Sequence, residues 1–237
     1  MTGLEDIKRW LGTRMLREDT RAVLKERLTY LSPKKLHRLE DALAEIERDG
    51  IAGDILEFGV ALGGSAIILA GHAQNGRSFH GFDVFAMIPP PTSDKDDDKS
   101  RERYDVIRSG RSTGIDGDEY YGYRDSLFED VKASFARHKR PINGHNIHLH
   151  KGLFEETWPK ASIDRIAFAH IDCDWYDPVR YCLEAVAVKL SPGGLLLIDD
   201  YNDYGGARTA VDEFIAGRPG FTFEAGPNPI LRKSRTH

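Results

Sequence analysis

Residues 54–65 read DILEFGVALGGS, a short apolar run that closes on a glycine and passes into the helical pattern GGSAIILAGHA at 63–73. Four similar runs follow, each ending near Gly or Asp: SFHGFDVF (78–85), NIHLHKG (146–152), RIAFAHID (165–172) and GLLLIDDY (194–201). Their nearly unbroken apolar character suits strands covered on both faces. Helical spacing fills the intervals in DSLFEDVKASFARH (125–138), PVRYCLEAVAVKL (178–190) and GARTAVDEFIA (206–216), with Phe128, Val131 and Phe135 on one stripe. Strand alternating with helix predicts an α/β fold with a doubly wound, mostly parallel sheet. The last segment, FTFEAGPNPILRK (221–233), reads as a closing β-hairpin.

Upstream of this core, Leu36, Leu39, Leu43 and Ile46 recur at steps of three, four and three, between a Ser32-Pro33 start and a Gly50 stop. They predict an N-terminal helical layer over 1–52, ahead of a ligand-binding domain over 53–237. Within that domain, residues 86–124 carry the triplet Pro89, Pro90, Pro91, the charged run DKDDDKSRERYD and the tip EYYGYR. So long a connection is rarely structureless in a compact domain, which predicts a partly helical lid. The 237 residues carry 33 Lys+Arg against 38 Asp+Glu, a net charge of −5 that argues against a nucleic-acid partner. The start, MTGLEDIKRWL, lacks a secretory pattern, and no stretch approaches a membrane span. Cys173 and Cys182 have no CxxC spacing, and two thiols in a chain this long fit a reducing cytoplasm.

The candidate ligand residues lie where strands end. The first turn is G-x-x-x-G-G and not the G-x-G-x-x-G of a dinucleotide site. Glu57, two residues ahead of Gly59, suits the methionine ammonium of S-adenosylmethionine, whose carboxylate could meet the N–H groups of Gly63 to Ser65. A glycine-rich turn that only packs helix on strand is the alternative. Asp83, 24 residues past Gly59, can accept bonds from both ribose hydroxyls, which does not separate NAD from S-adenosylmethionine. Asp172 and Asp174 close one strand and Asp199 and Asp200 the next, so four carboxylates reach one rim. A hard cation such as Mg²⁺ would relieve their repulsion, the alternative being helix caps and salt bridges. His170 reads as a hydrogen-bonded core residue, and Trp175 and Tyr176 as walls or as loop packing.

The stretches EFGVALGGSA (57–66), KGLFEETWP (151–159), HIDCDWYDPV (170–179) and PGGLLLIDDYNDYGGARTAVDEF (192–214) together resemble the macrocin O-methyltransferase (TylF-like) family, over roughly Leu28 to Ala216. The resemblance implies a Rossmann-like class I methyltransferase domain at 53–237, lidded at 86–124. It also implies S-adenosylmethionine and Mg²⁺ as cofactors, and a small acceptor with vicinal hydroxyls, a sugar or glycosylated natural product. Asp172, Asp199 and Asp200 would bind the metal. Asp174 would be the catalytic base, because the histidine that some relatives place three residues after the first Asp is Trp175 here. Gly152 joins Glu57, Gly59, Gly63, Ser65 and Asp83 in the implied cofactor set, and a homo-oligomer is expected. The family often has Trp-Arg before the paired glycines where this chain has Ala61-Leu62, which puts in doubt any contact those side chains supply. A metal-dependent glycosyltransferase using the D-x-D, a catechol-type acceptor and a non-catalytic S-adenosylmethionine-binding scaffold are the competing readings.

Overall fold

The computed structural model describes residues 12–74 and 76–235; the reading of MTGLEDIKRWL falls outside them. One seven-stranded sheet runs through the molecule: β1 (Asp54–Phe58), β2 (Phe79–Asp83), β3 (Ile147–Lys151), β4 (Ile166–Ile171), β5 (Leu190–Ile198), β6 (Phe221–Glu224) and β7 (Ile230–Lys233), in the order β3-β2-β1-β4-β5-β7-β6. The first five are parallel to one another, and β7 runs antiparallel to β5 and β6, forming the expected closing hairpin with β6. Strand β5 begins at Leu190, four residues before the apolar run at Gly194. Its early start pairs Leu190 with Ile166, followed by a register shift.

The helices are α1 (Glu18–Lys25), α2 (Pro33–Arg48), α3 (Gly64–Ala70), α4 (Asp98–Arg108), α5 (Leu127–Arg137), the single turn α6 (Phe154–Thr157), α7 (Tyr176–Lys189) and α8 (Gly205–Gly217). Helix α2 starts as its sequence dictates: the Ser32 hydroxyl accepts from the Lys35 N–H at 3.3 Å and Pro33 occupies the first turn. Its stripe of Leu36, Leu39, Leu43 and Ile46 packs with α3, α5, Ile55, Phe168, Leu195 and Leu197 on one face of the sheet. The other face carries α7 and α8 against Leu56, Phe58, Ile171, Leu196 and Ile198. Alternate residues of β5 thus serve opposite cores, which is why its sequence shows no polar alternation. Each such buried Leu contributes roughly 2 kcal/mol of burial. No helix among the described residues is long and apolar enough to cross a membrane.

Segment 86–124 holds α4 and two single helical turns, and its charged run is fastened down. Asp97 caps α4 through the Ser100 N–H at 2.9 Å, and its other oxygen accepts the Gly205 N–H at 2.9 Å, at the start of α8. Asp96 accepts the Tyr176 N–H at 2.8 Å, at the start of α7. Both carboxylates sit where free N–H groups and the helix dipole favour a negative charge. A Cβ on Gly206 would stand 2.1 Å from the Asp96 oxygen, so only glycine admits this contact. Replacing Asp97 by Ala removes a cap and a latch together. It should cost about 1–2 kcal/mol in urea unfolding and speed proteolysis within 86–124; unchanged cutting would refute the latch.

At the β2–β3 edge the rings of His80, His148 and His150 stack, with centroids 4.6 Å (His80–His148) and 5.3 Å (His80–His150) apart. His80 Nδ1 lies 3.0 Å from His150 Nε2. Burial, reinforced by its neighbours, pushes His80 from 6.5 down to about 3, and burial pushes His150 down to about 4. The folded state therefore holds His80 and His150 neutral, while unfolded histidines titrate near 6.5. Their contribution is whole above pH 6.5 and is lost as pH falls toward those values. Comparing His80→Phe with wild type, the difference in unfolding free energy should move in the variant's favour by on the order of 2 kcal/mol between pH 7.5 and 5. Parallel pH curves would overturn this.

Candidate active site

The carboxyl ends of β1, β2, β4 and β5 open into a cavity of about 790 Å³, lined by Gly59, Asp83, Asp172, Asp174, Asp199 and Asp200. Ile88, Pro89, Arg103, Tyr120 and Tyr121 of segment 86–124 also line it, with Trp175 and Tyr204. Parallel strands place such a crevice beyond their ends by construction. The decisive contact is between backbones. Gly59 has φ +92°, and a Cβ there would stand 1.8 Å from the carbonyl oxygen of Asp172. The Asp172 N–H donates to Phe58 O and the Asp199 N–H to Ile171 O, both at 2.9 Å, which carries the strand ladder to the edge of the site.

Asp172, Asp199 and Asp200 each offer an oxygen within 4.8 Å of the others. Lys35 Nζ holds Asp199 Oδ2 at 2.8 Å, while Asp199 Oδ1 is buried and without a partner. Asp200 Oδ2 accepts the Asp174 N–H at 2.9 Å, and Asp174 sits in the left-handed region at φ +57°, which Asp tolerates better than most residues. Asp174 lies outside the group of three. Burial first, then repulsion from Asp199 on Asp172 and from Asp174 on Asp200, pushes both carboxyls far above the usual range. Burial and then Asp199 lift Asp174 to about 7. An orphaned carboxylate oxygen among crowded hard donors fits a small divalent cation such as Mg²⁺.

The other expected ligand residues stand behind this wall. Glu57 points to the Ile55 face of β1, since strand side chains alternate, and is fully buried there with Oε1 2.8 Å from His170 Nδ1. His170 is accordingly a hydrogen-bonded core residue. The Gly63 N–H donates to Val60 O at 2.8 Å and the Gly64 N–H to Leu28 O at 2.9 Å, so neither is free for a ligand carboxylate; Ser65 is buried in α3. Gly152 donates its N–H to Asp83 O at 2.9 Å. Asp83 accepts from the N–H groups of Val60, Ala61 and Phe85 at 2.8, 2.9 and 2.6 Å. Three of its roughly four lone-pair sites are spent, leaving room for one ribose hydroxyl and not two.

Sequence reading assigned no role to Lys35, Arg103 or Tyr204: Lys35 lies far from the acids in the chain, while Arg103 and Tyr204 sit within quoted stretches whose pattern does not single them out. Trp175 does wall the cavity, its ring 5.2 Å from Tyr204 and its Nε1–H donating to Pro89 O at 3.0 Å. Tyr176 instead donates its hydroxyl to Glu213 at 2.7 Å.

The profile of the macrocin-O-methyltransferase (TylF) family matches residues 8–219. The chain belongs to this family. It is 30% identical over 177 residues to the 8-demethyl-8-(2,3-dimethoxy-alpha-L-rhamnosyl)-tetracenomycin-C 4'-O-methyltransferase of Streptomyces olivaceus, covering 73% of this chain and 62% of that one. It is 29% identical to the mycinamicin III 3''-O-methyltransferase of Micromonospora griseorubida, covering 73% and 65%. The matched region thus spans less than two thirds of either relative. Among solved structures, the O-methyltransferase NovP shares the fold at a TM-score of 0.72 and 22% identity, over 88% of this chain and 83% of that one. TylF membership leaves the D-x-D glycosyltransferase reading without support.

Because Gly59 admits Asp172 to this wall of the site, Gly59→Ala should lower stability by about 2–4 kcal/mol and weaken S-adenosylmethionine binding in the fraction that folds. Thermal unfolding and calorimetry test both; a variant with wild-type values would refute the close approach.

Proposed function

We propose that this chain is an S-adenosylmethionine-dependent O-methyltransferase that modifies a sugar hydroxyl of a glycosylated natural product with the aid of Mg²⁺. The convergence of four carboxylates beside Gly59 and Asp83 carries this reading. Family membership supports the methyl donor, and relatives named for 4'-O- and 3''-O-methylation support a sugar acceptor.

Asp172, Asp199 and Asp200 would hold the metal. Bound there, Mg²⁺ would acidify and orient neighbouring hydroxyls of a vicinal diol. Asp83, with Gly59 beside it, positions the cofactor's ribose. Asp174, outside the three ligands, takes the hydroxyl proton as oxygen bonds to the methyl carbon. The carbon–sulfur bond breaks in the same step and its electron pair stays on sulfur, giving a methyl ether, S-adenosylhomocysteine and a protonated Asp174. Tyr120, Tyr121, Trp175 and Tyr204 offer ring faces to a sugar and keep water from the sulfonium. Holding donor and acceptor in line lowers the barrier by several kcal/mol, on the scale of approximation effects.

Calorimetry should show S-adenosylmethionine binding and no NAD binding, and EDTA should abolish methyl transfer. Asp174→Asn should lower turnover about 100-fold or more with S-adenosylmethionine and Mg²⁺ affinities unchanged. Asp199→Asn should lose Mg²⁺ binding and keep the cofactor. NAD binding without S-adenosylmethionine binding would sink the assignment. Full activity in chelator would remove the metal, and loss of Mg²⁺ in Asp174→Asn would make that residue a ligand.

A further inference from the structure

One cation reaches the acid cluster from the far end of the chain. Lys35, in the first turn of α2, places Nζ 2.8 Å from Asp199 Oδ2, 3.2 Å from the Asp199 backbone oxygen and 2.8 Å from Asp203 Oδ2. Its side chain is only 17% exposed. Two contacts to one aspartate fix that carboxylate: Oδ2 is taken, and Oδ1, buried and unpartnered, is the oxygen Asp199 has left to offer. Lys35 hydrogen-bonds to the cluster directly; Arg103, stacked over Tyr120 at 5.7 Å from its ring centre, lies in the same cavity and acts on Asp174 through space. A lysine ammonium is charged near neutral pH, and here it faces the carboxylates of Asp199 and Asp203.

We infer that Lys35 is a positioning residue and a resident counter-charge. It stabilises Asp199 among its acidic neighbours, and it opposes the divalent cation that the same carboxylates take up. The inference rests on the Mg²⁺ reading above. Crowded carboxylates in a half-dry site repel strongly, so a fixed positive charge lets them pack. The same charge repels a second cation brought within a few ångström. Lys35 thereby trades affinity for exchange: it keeps the cluster folded and holds the metal more weakly than three carboxylates alone would.

Thermal unfolding in EDTA and in Mg²⁺, with calorimetric titration of Mg²⁺, separates the outcomes for wild type, Lys35→Met and Lys35→Arg. Lys35→Met should unfold about 3 °C or more below wild type in EDTA. It should gain more than wild type from Mg²⁺ and bind the ion about tenfold more tightly, as removal of a nearby like charge requires. Lys35→Arg, which keeps the charge, should stay near wild type. A purely structural role would lower the midpoint equally in both buffers and leave the affinity unmoved, and that result would overturn the inference. Wild type that binds Mg²⁺ beside an indistinguishable Lys35→Met overturns it as well, leaving the metal intact. Wild type without Mg²⁺ affinity overturns the metal reading and the competition with it. Should Lys35→Met fail to fold, Lys35→Gln, which keeps a donor without the charge, is read in the same way.

Discussion

Repulsion among Asp172, Asp174, Asp199 and Asp200 is the constraint around which the rest of the molecule is arranged. Four carboxylates at the ends of two adjacent parallel strands cannot spread apart, because the β4–β5 ladder pairs Ile171 with Ile198 immediately before them. The fold answers with devices drawn from elsewhere: a backbone N–H from Asp174 onto Asp200, an ammonium from α2 onto Asp199, and one orphaned oxygen left to a ligand. Each of these lowers the cost of packing charge at the rim. Together they let the strand ends keep a crowded set of carboxylates at the rim of the cavity.

Segment 86–124 obeys the same electrostatics with the sign of the problem reversed. Helices α7 and α8 start beside the acid cluster, and their free N–H groups are positive ends in need of acceptors. Asp96 and Asp97 supply them, so the most charged stretch of the chain is also the one that ties segment 86–124 to the sheet's second face. Pro89, held by the Trp175 indole, fixes the segment at a second point. Tyr120 and Tyr121 of the same segment line the cavity.

How much of this could be read in advance follows from the range of each interaction. Strands and helices were legible because alternation and the 3.6-residue repeat are local properties, and so were the rim acids, since a strand's last residue faces the crevice wherever the strand lies. Lys35 was not, for it meets Asp199 across 164 positions with no motif linking them. The N–H groups of Gly63 and Gly64 looked available as a ligand cradle. Their real acceptors are Val60 O, within the turn itself, and Leu28 O, which depends on how the chain ahead of α2 folds back over α3. The helical content of segment 86–124 was anticipated, but not the partners of its charged run: only the placement of two helix starts makes Asp96 and Asp97 acceptors.

Glu57 shows how a residue can serve the site without lining it. It is the register partner of His170 across β1 and β4, and both side chains are fully buried. Burial raises the Glu57 carboxyl, and the His170 contact at 2.8 Å works against that rise. A buried acid facing a buried base makes alignment specific. A slip of one residue would set Glu57 beside Ala169 or Ile171, with no partner for its charge and every neighbouring side chain on the wrong face. The correct register is also what brings Gly59 under the Asp172 carbonyl, two residues beyond the pair on each strand. An apolar pair at these positions would tolerate slippage, whereas the polar one ties the glycine turn after β1 to the first metal-candidate acid of β4.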